Sequence, residues 1–168
     1  QSHRGALSDC IVGDQVVVIG AGNTAVDVAT EAVRLGAERV TMVYRRTSEV
    51  MSAYRYEYEL AKADGIQFRW LTAPVAFETD GGKLTGLRCQ EMELKGEGRR
   101  AALTPVSGSE FVLPCDMAIK ALGQSPLSKL LGAVDGLDFT AGKVVIDPSS
   151  GATSRPGLFA GGDCISKG

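Results

Sequence analysis

An apolar strand, a glycine turn, a helix and a second strand follow one another within residues 15–46, and this order restricts the chain to few folds. Residues 16–19 are four consecutive β-branched residues without polar alternation, a pattern typical of a strand buried on both faces of a helix-covered parallel sheet. The strand ends at Gly20, a helix is predicted to begin at Asn23, and residues 39–44 predict the next strand. The segment therefore predicts a βαβ unit of an α/β fold.

The glycine turn has the spacing G-x-G-x-x-A of a dinucleotide-binding fingerprint. Gly20 suits the tight turn, Gly22 lets the backbone approach a pyrophosphate, and Ala25 is the third small position, where helix and strand pack closely. Free N–H groups and the positive dipole end at the start of the helix attract phosphate. Because strand, turn, helix and strand occur in the expected order, a dinucleotide site is favoured over a turn that only reverses the chain. We expect five residues to bind the nucleotide: Gly20, Ala21, Gly22, Asn23 and Thr24.

The end of the second strand selects the nucleotide. Sites for NAD usually place Asp or Glu there to bind the ribose 2′-hydroxyl. Here Tyr44 is followed by Arg45 and Arg46, and the next acidic residue is Glu49. A guanidinium group matches the 2′-phosphate of NADPH, so the arginines predict NADPH. NADH is the alternative if the two arginines form only a solvated loop.

The rest of the first 124 residues predicts the elements that complete the sheet. They are a helix over residues 49–64 ended by Gly65, a strand over 66–71, a hairpin about Gly81 and Gly82 within 75–94, a tip at 95–98 with Arg99 and Arg100, and strands over 110–113 and 116–122. Tyr54, Tyr58 and Ala61 share one helix face, at a spacing more typical of core packing than of a cofactor site. We predict a Rossmann-like dinucleotide-binding domain with a parallel sheet plus a small antiparallel β meander. Leu122 and Gly123 follow its last strand and are expected at the nicotinamide end of the pocket, because ligands bind at such strand ends.

Beyond Pro126 the composition becomes loop-like, and we place a domain boundary near Ser125. Short strands are predicted over residues 143–146 and 158–160. Two glycines and Asp163 follow the second of these strands, so a ligand could approach the backbone and share a hydroxyl proton with the carboxylate. From these residues alone, a turn with a solvated aspartate is the commoner explanation.

Composition excludes several classes of function. The chain has 168 residues, 44% of them hydrophobic, and a net charge of −2, which suits one buried core and no basic face for nucleic acid. No apolar run approaches the ~20 residues that cross a bilayer, so no membrane partner is expected and the cytoplasm is the expected location. Four scattered cysteines without a C-x-x-C motif argue against zinc, an iron–sulfur cluster or a redox dithiol within this piece.

Several segments together resemble a known family. They are residues 18–27, 43–46, 51–54, 121–126 and 156–163. In this order they resemble the small subunit of NADPH-dependent glutamate synthase and, equally, the electron-input part of dihydropyrimidine dehydrogenase. The resemblance covers nearly the whole chain. The family usually has proline where this chain has Ser52, which leaves the start of the second helix open.

The resemblance implies a flavoprotein with two dinucleotide folds, in which the NADPH fold is inserted into a split FAD fold. The Asp matching Asp163 then binds the ribityl and phosphate region of FAD, with Gly162 beside it. We therefore expect residues 1–124 to be the NAD(P)H-binding domain and residues 125–168 a C-terminal fragment of the FAD-binding domain. The missing FAD-domain segments of the same polypeptide are its expected partner, and the isolated piece is expected to be inactive.

The resemblance also implies the reaction. NADPH passes hydride to the N5 atom of FAD, and electrons leave through iron–sulfur clusters towards a partner subunit or domain. No side chain of this piece need act as a general acid or base, because the protein supplies orientation and electrostatics. Two alternatives stay open: the same module in a dihydropyrimidine dehydrogenase or another ferredoxin-linked reductase, and a nucleotide-sensing module without catalysis.

Overall fold

The computed structural model describes residues 9–96, 98, 101–123 and 132–165. The chain divides into two compact units, Gln1–Gly123 and Gln124–Gly168. The predicted boundary at Ser125 lies outside the described residues, as do residue 97 and the two arginines, Arg99 and Arg100, of the predicted hairpin tip. The first unit contains β1 Gln15–Ile19, α1 Asn23–Arg34, β2 Arg39–Val43, α2 Arg55–Ala63, β3 Gln67–Arg69, β4 Thr72–Asp80, β5 Lys83–Lys95, β6 Ala102–Pro105, β7 Phe111–Pro114 and β8 Met117–Lys120.

The main sheet has the strand order β3-β2-β1-β8, and every neighbouring pair in it is parallel. Strand β1 lies in the interior and is buried on both faces, as its unbroken apolar sequence predicts. Val16 and Val18 face a core formed with α1, whereas Val17 and Ile19 face a second core that contains Leu87 of β5. The second face is thus covered by antiparallel strands, where the sequence pattern suggested helices. The α/β fold class is confirmed.

Helix α1 begins at Asn23, as its sequence predicts. Its small apolar face is buried against the sheet at Ala25, Val26, Ala29 and Ala32. At the carboxyl end, Gly36 has a φ of 104°, its N–H donates to the Val33 carbonyl oxygen, and the N–H of Ala37 donates to the carbonyl oxygen of Ala32. This pair of bonds is the Schellman arrangement, which glycine favours because it has no Cβ.

The predicted meander is confirmed. Strands β4 and β5 are joined by Gly81 and Gly82, with φ values of 54° and 80°, between the paired residues Asp80 and Lys83. Positive φ at both central residues is what a two-residue type I′ hairpin requires. Strand β5 is long enough to pair with β4, β6 and β7.

The second helix is shorter than the predicted span of residues 49–64. Residues Ser48–Val50 form a single 3-10 turn, the chain is then extended, and α2 begins only at Arg55. The N–H groups of Ser52 and Ala53 both donate to the Ala21 carbonyl oxygen, at 3.2 Å. Because these N–H groups bond to the glycine turn, they do not form the hydrogen bonds of a helix, and α2 starts later than predicted. The predicted end of the helix, at Gly65, is correct.

The aromatic residues of α2 do not all pack in the core. Tyr58 contacts the rings of Phe68 and Trp70, with centroids 4.9 Å and 5.8 Å away. Tyr54 is 58% exposed and stacks on Tyr56, which is also exposed. The prediction that Tyr54 packs in the core is therefore wrong, because Tyr54 precedes the helix and does not share its buried face.

The described residues of the second unit, 132–165, are largely irregular. They contain β9 Phe139–Thr140 and β10 Lys143–Val144, an antiparallel pair, and a 3-10 turn at Gly162–Cys164. The strand predicted over residues 158–160 is wrong, since only Phe159 makes an isolated bridge, to Ala152. The N–H of Leu158 donates back to the Arg155 carbonyl oxygen and closes a tight turn, and the pairing beyond this turn is limited to two backbone bonds, from Thr153 to Leu158 and from Ala160 to Gly151.

Across the described residues, no helix is both long and apolar enough to span a membrane.

Candidate functional site

The first glycine of the turn is required by the packing of the sheet. Gly20 has a φ of 138°, and its N–H donates to the Val43 carbonyl oxygen at 3.0 Å. A Cβ at this position would overlap the carbonyl oxygen of Ala121, which follows β8. Gly20 therefore lets β1, β2 and β8 end side by side, and it builds the edge on which a ligand would lie.

The start of α1 offers unpaired backbone donors. Gly22 is the N-cap, and its carbonyl oxygen accepts the N–H groups of Ala25 and Val26 at 2.9 Å and 3.1 Å. The preceding N–H groups, those of Gly22, Asn23 and Thr24, donate no hydrogen bond within the described part of the chain. The helix carries no acidic residue in its first turn and no side-chain cap. Such an end fits an anionic phosphate, which supplies both the acceptors and the negative charge that are missing.

The segment before α2 forms one wall of this turn. The N–H of Tyr54 donates to the Asn23 side-chain oxygen Oδ1 at 3.2 Å, next to the two bonds that Ala21 accepts. The Ser52 hydroxyl oxygen lies 3.2 Å from the point where a Cβ on Gly22 would be. Ser52 is not among the site residues that the sequence predicts, because it is about 30 residues from the turn along the chain.

The two arginines after β2 have different surroundings. The Arg45 side chain is exposed, and it makes no hydrogen bond or ion pair within the described residues. Arg46 is partly buried, and its Nη1 donates to the carbonyl oxygen of Ala101 at 3.0 Å. The sequence predicts both arginines as ligands of the nucleotide. Within the described residues the Arg45 guanidinium group has no partner, whereas Nη1 of Arg46 is occupied by its bond to Ala101. The binding role of each arginine stays a prediction.

Leu122 and Gly123 lie at the same edge of the sheet as the glycine turn. The N–H of Ala121 donates to the Ile19 carbonyl oxygen at 2.8 Å, which carries the chain past the end of β1. Leu122 is 67% exposed and Gly123 has a φ of 97°. The structure thus places the glycine turn, the two arginines and these two residues at the carboxyl ends of three neighbouring parallel strands, β1, β2 and β8.

Gly162 and Asp163 belong to the second unit and lie in its exposed 3-10 turn. Gly162 has a φ of 74°, and the thiol of Cys164 donates to the Gly161 carbonyl oxygen at 3.1 Å. The Asp163 carboxylate accepts no hydrogen bond from the described residues. Among the described residues, this turn therefore leaves the carboxylate available to accept a hydrogen bond from a hydroxyl.

The match to a family model covers residues 2–168, and its description is pyridine nucleotide-disulphide oxidoreductase. The chain belongs to the pyridine nucleotide-disulphide oxidoreductase family. The free helix terminus and the glycine turn lie within the matched range.

Relatives within this family include subunits of larger enzymes. The chain is 41% identical to the beta subunit of NADP(+)-dependent formate dehydrogenase from Moorella thermoacetica, over 91% of this chain and 22% of that protein. It is 35% identical to the NADPH glutamate synthase small chain of Escherichia coli, over 91% of this chain and 34% of that protein. The resemblance to glutamate synthase small chains is confirmed. The chain spans about a third or less of the length of these two relatives.

Solved structures confirm the fold of this oxidoreductase family member. The thioredoxin reductase of T. acidophilum matches with a TM-score of 0.72 at 23% identity, over 92% of this chain and 45% of that one. The Lactococcus lactis enzyme matches with a TM-score of 0.67. Both are proteins of the Rossmann-type architecture that the glycine turn predicts.

Two cysteines are buried away from the glycine turn, between the main sheet and the meander. Cys89 and Cys115 belong to the core that contains Val17 and Ile19. Burial, and then the neighbouring Cys115, raise the pKa of Cys89 to about 11; burial also raises the pKa of Cys115. Both are therefore neutral thiols at neutral pH and act as small apolar side chains.

Proposed function

We propose that this chain is the NADPH-binding part of a flavoprotein oxidoreductase, in which hydride passes from NADPH to FAD. One observation carries the proposal: three N–H groups at the start of α1, which have no partner among the described residues, lie at the same sheet edge as Arg45, whose guanidinium group is likewise unpaired within those residues. The helix terminus would bind the pyrophosphate, and the guanidinium group at the neighbouring strand end would bind the 2′-phosphate, so the two match the two phosphate positions of NADPH. The names of the formate dehydrogenase and glutamate synthase relatives support the choice of nucleotide.

The glycine turn would hold the pyrophosphate. The N–H groups of Gly22, Asn23 and Thr24 point from the first turn of α1, and the dipole of this 12-residue helix favours the negative charge. Gly20 and Ala21 shape the turn without offering side chains that would block it. Backbone donors are held in place by the fold, so little ordering is needed on binding.

Arg45 would select NADPH over NADH. It follows β2, the strand paired with β1, and its guanidinium group has no partner among the described residues. A guanidinium group binds phosphate in a bidentate manner and is always charged. Arg46 supports the loop through its bond to Ala101, and we assign it a positioning role.

Leu122 and Gly123 would border the nicotinamide ring, since they follow β8 at the same edge as Gly20. Flavin supplies the hydride chemistry when FAD is bound, through its N5 atom. In the second unit, Gly162 and Asp163 would bind the ribityl region of FAD, the glycine by close backbone approach and the carboxylate by accepting a hydrogen bond from a hydroxyl. These residues orient the reactants, and none of them has to transfer a proton.

Electrons would leave the flavin for a partner subunit or domain. The two relatives described above are named a beta subunit and a small chain. Their names support the proposal that this chain, too, belongs to a multi-subunit oxidoreductase. A glutamate-synthase-like partner is our first choice, and a partner like that of dihydropyrimidine dehydrogenase or another ferredoxin-linked reductase is the alternative. The remaining FAD-domain segments would be the other partner, because this chain spans only part of each relative.

Calorimetric titration of this chain with NADPH and, separately, with NADH at low salt tests the proposal. We expect NADPH to bind at least about tenfold more tightly, since hydrogen bonds to a charged group contribute about 1.5–3 kcal/mol. Equal binding would overturn the assignment to NADPH. Absence of binding to either nucleotide would overturn the dinucleotide site.

A purified sample also tests the role of the second unit. We expect no flavin absorbance, because Asp163 and Gly162 supply only a small part of an FAD site. Stoichiometric FAD in this chain would show that the described units suffice to bind it, and would contradict the proposal that FAD needs further segments.

A further inference from the structure

The hydroxyl of Ser52 borders the space above the second glycine of the turn. Its oxygen is 3.2 Å from the position that a Cβ on Gly22 would occupy. The side chain is exposed, and its hydroxyl makes no hydrogen bond within the described part of the chain. A hydroxyl without a partner among the described residues therefore lies beside Gly22, where the fingerprint predicts that the backbone approaches the pyrophosphate.

Three hydrogen bonds hold this donor in place. The N–H groups of Ser52 and Ala53 donate to the Ala21 carbonyl oxygen, and the N–H of Tyr54 donates to Oδ1 of Asn23. The backbone around Ser52 is thus attached to both ends of the turn, at Ala21 and Asn23. Only the Ser52 χ1 rotation remains to be fixed on binding, which costs little entropy for so short a side chain.

We propose that the Ser52 hydroxyl donates a hydrogen bond to the pyrophosphate of NADPH, beside the backbone N–H groups of Gly22 and Asn23. This inference rests on the proposed function. A pyrophosphate oxygen that approaches over Gly22 meets these N–H groups from α1 and the hydroxyl from the opposite wall. Hydrogen bonds from a hydroxyl to a charged oxygen are short and strong, so Ser52 contributes affinity as well as position.

Ser52 and Arg45 would recognise different parts of the ligand. The pyrophosphate is common to NADPH and NADH, whereas only NADPH carries the 2′-phosphate. Loss of the Ser52 hydroxyl should therefore weaken both nucleotides equally. Loss of the Arg45 guanidinium should weaken NADPH alone.

The test is a calorimetric titration of the full chain and its Ser52→Ala and Ser52→Thr variants with NADPH, NADH and adenosine 2′-monophosphate. We expect Ser52→Ala to weaken NADPH and NADH by about tenfold each, from the usual strength of hydrogen bonds to charged groups. Adenosine 2′-monophosphate lacks the pyrophosphate, so its affinity should not change. Ser52→Thr keeps the hydroxyl and should bind nearly as the original chain does.

Three results would overturn the inference. Binding of NADPH by Ser52→Ala within about twofold of the original chain would show that the hydroxyl makes no contact. An equal loss for adenosine 2′-monophosphate would show a general distortion of the site. A loss in Ser52→Thr as large as in Ser52→Ala would show that the hydroxyl is not the group that matters.

The failure of the proposed function gives a different result. If the unmodified chain binds neither nucleotide, the dinucleotide site and this inference both fail. If the unmodified chain binds NADPH tightly and only the variants behave unexpectedly, the site stands and Ser52 alone is excluded from it.

Discussion

The Arg46 guanidinium donates a hydrogen bond from Nη1 to the backbone carbonyl oxygen of Ala101, 3.0 Å away and 55 residues later in the chain. Ala101 is buried just before β6, and the N–H of Leu71 donates to the Arg46 carbonyl oxygen. Arg46 therefore joins the end of β2 to the meander. Its neighbour Arg45 is exposed, so adjacent residues of the same type have separate roles.

Replacing Arg45 with alanine should reduce nucleotide selectivity. The exposed guanidinium group follows β2 and has no partner among the described residues, so its loss should weaken NADPH binding by about 1.5–3 kcal/mol. The affinity for NADH should be nearly unchanged, because NADH has no 2′-phosphate. Calorimetric titration with both nucleotides measures the difference, and an equal loss for both would contradict the assignment of Arg45 to the 2′-phosphate.

Replacing Arg46 with alanine should lower stability instead of selectivity. The variant leaves the Ala101 carbonyl oxygen without its donor and should lose about 1–2 kcal/mol of unfolding free energy. Urea denaturation followed by circular dichroism measures the loss, with Arg45→Ala as the matched control that should unfold like the original chain. An Arg46→Ala chain with full stability and no preference for NADPH would reverse the two roles.

The two glycines of the turn should respond differently to alanine. Gly20→Ala places a methyl group against the Ala121 carbonyl oxygen at a φ of 138°, and the backbone strain alone should cost about 1–3 kcal/mol of stability. Gly22 has an extended backbone, with φ −95° and ψ 175°, and its Cβ would meet only the flexible Ser52 side chain. Gly22→Ala should therefore fold well and bind NADPH more weakly.

Thermal unfolding and NADPH titration of both glycine variants separate the two effects. Gly20→Ala should lower the melting temperature, whereas Gly22→Ala should leave it nearly unchanged. If Gly22→Ala bound NADPH as tightly as the original chain, the pyrophosphate would not approach over Gly22.

Thiol labelling should distinguish the buried cysteines from the exposed one. Burial, with Cys115 nearby, raises the pKa of Cys89 from 9.0 to about 11, whereas Cys164 is exposed. At pH 8 an aromatic disulfide reagent should react readily with Cys164 and should reach Cys89 and Cys115 only after unfolding. Mass spectrometry of the labelled peptides identifies the sites, and Cys89 labelling at the rate of Cys164 would contradict its burial.

The same pKa predicts a pH dependence of stability. Between pH 9 and 11 the unfolded thiol of Cys89 ionises while the folded thiol keeps its proton, so stability falls as pH rises through this range. The expected loss from this group is about 2 kcal/mol. Urea denaturation at several pH values measures the slope, and a Cys89→Ala chain should show a smaller one. An equal slope in both chains would assign the loss to other groups.

Local sequence was sufficient for the elements whose signals lie in neighbouring residues. The unbroken apolar run of β1, the small-residue face of α1 and the Gly81-Gly82 hairpin each depend on side chains within one element. Backbone conformation in these elements follows from the period at which apolar residues recur along the sequence, and from the ability of glycine to adopt positive φ. The glycine turn and the arginine pair were also visible, because their spacing is local.

Contacts between distant residues were not visible in the sequence. The start of α2 is set by hydrogen bonds from residues 52–54 to Ala21 and Asn23, and helical periodicity contains no trace of those acceptors. The bond between Arg46 and Ala101, which distinguishes Arg46 from the exposed Arg45, joins residues 55 positions apart in the chain. Spacing along a chain shows which residue types recur, whereas the partner of a polar group depends on which strands the fold brings together.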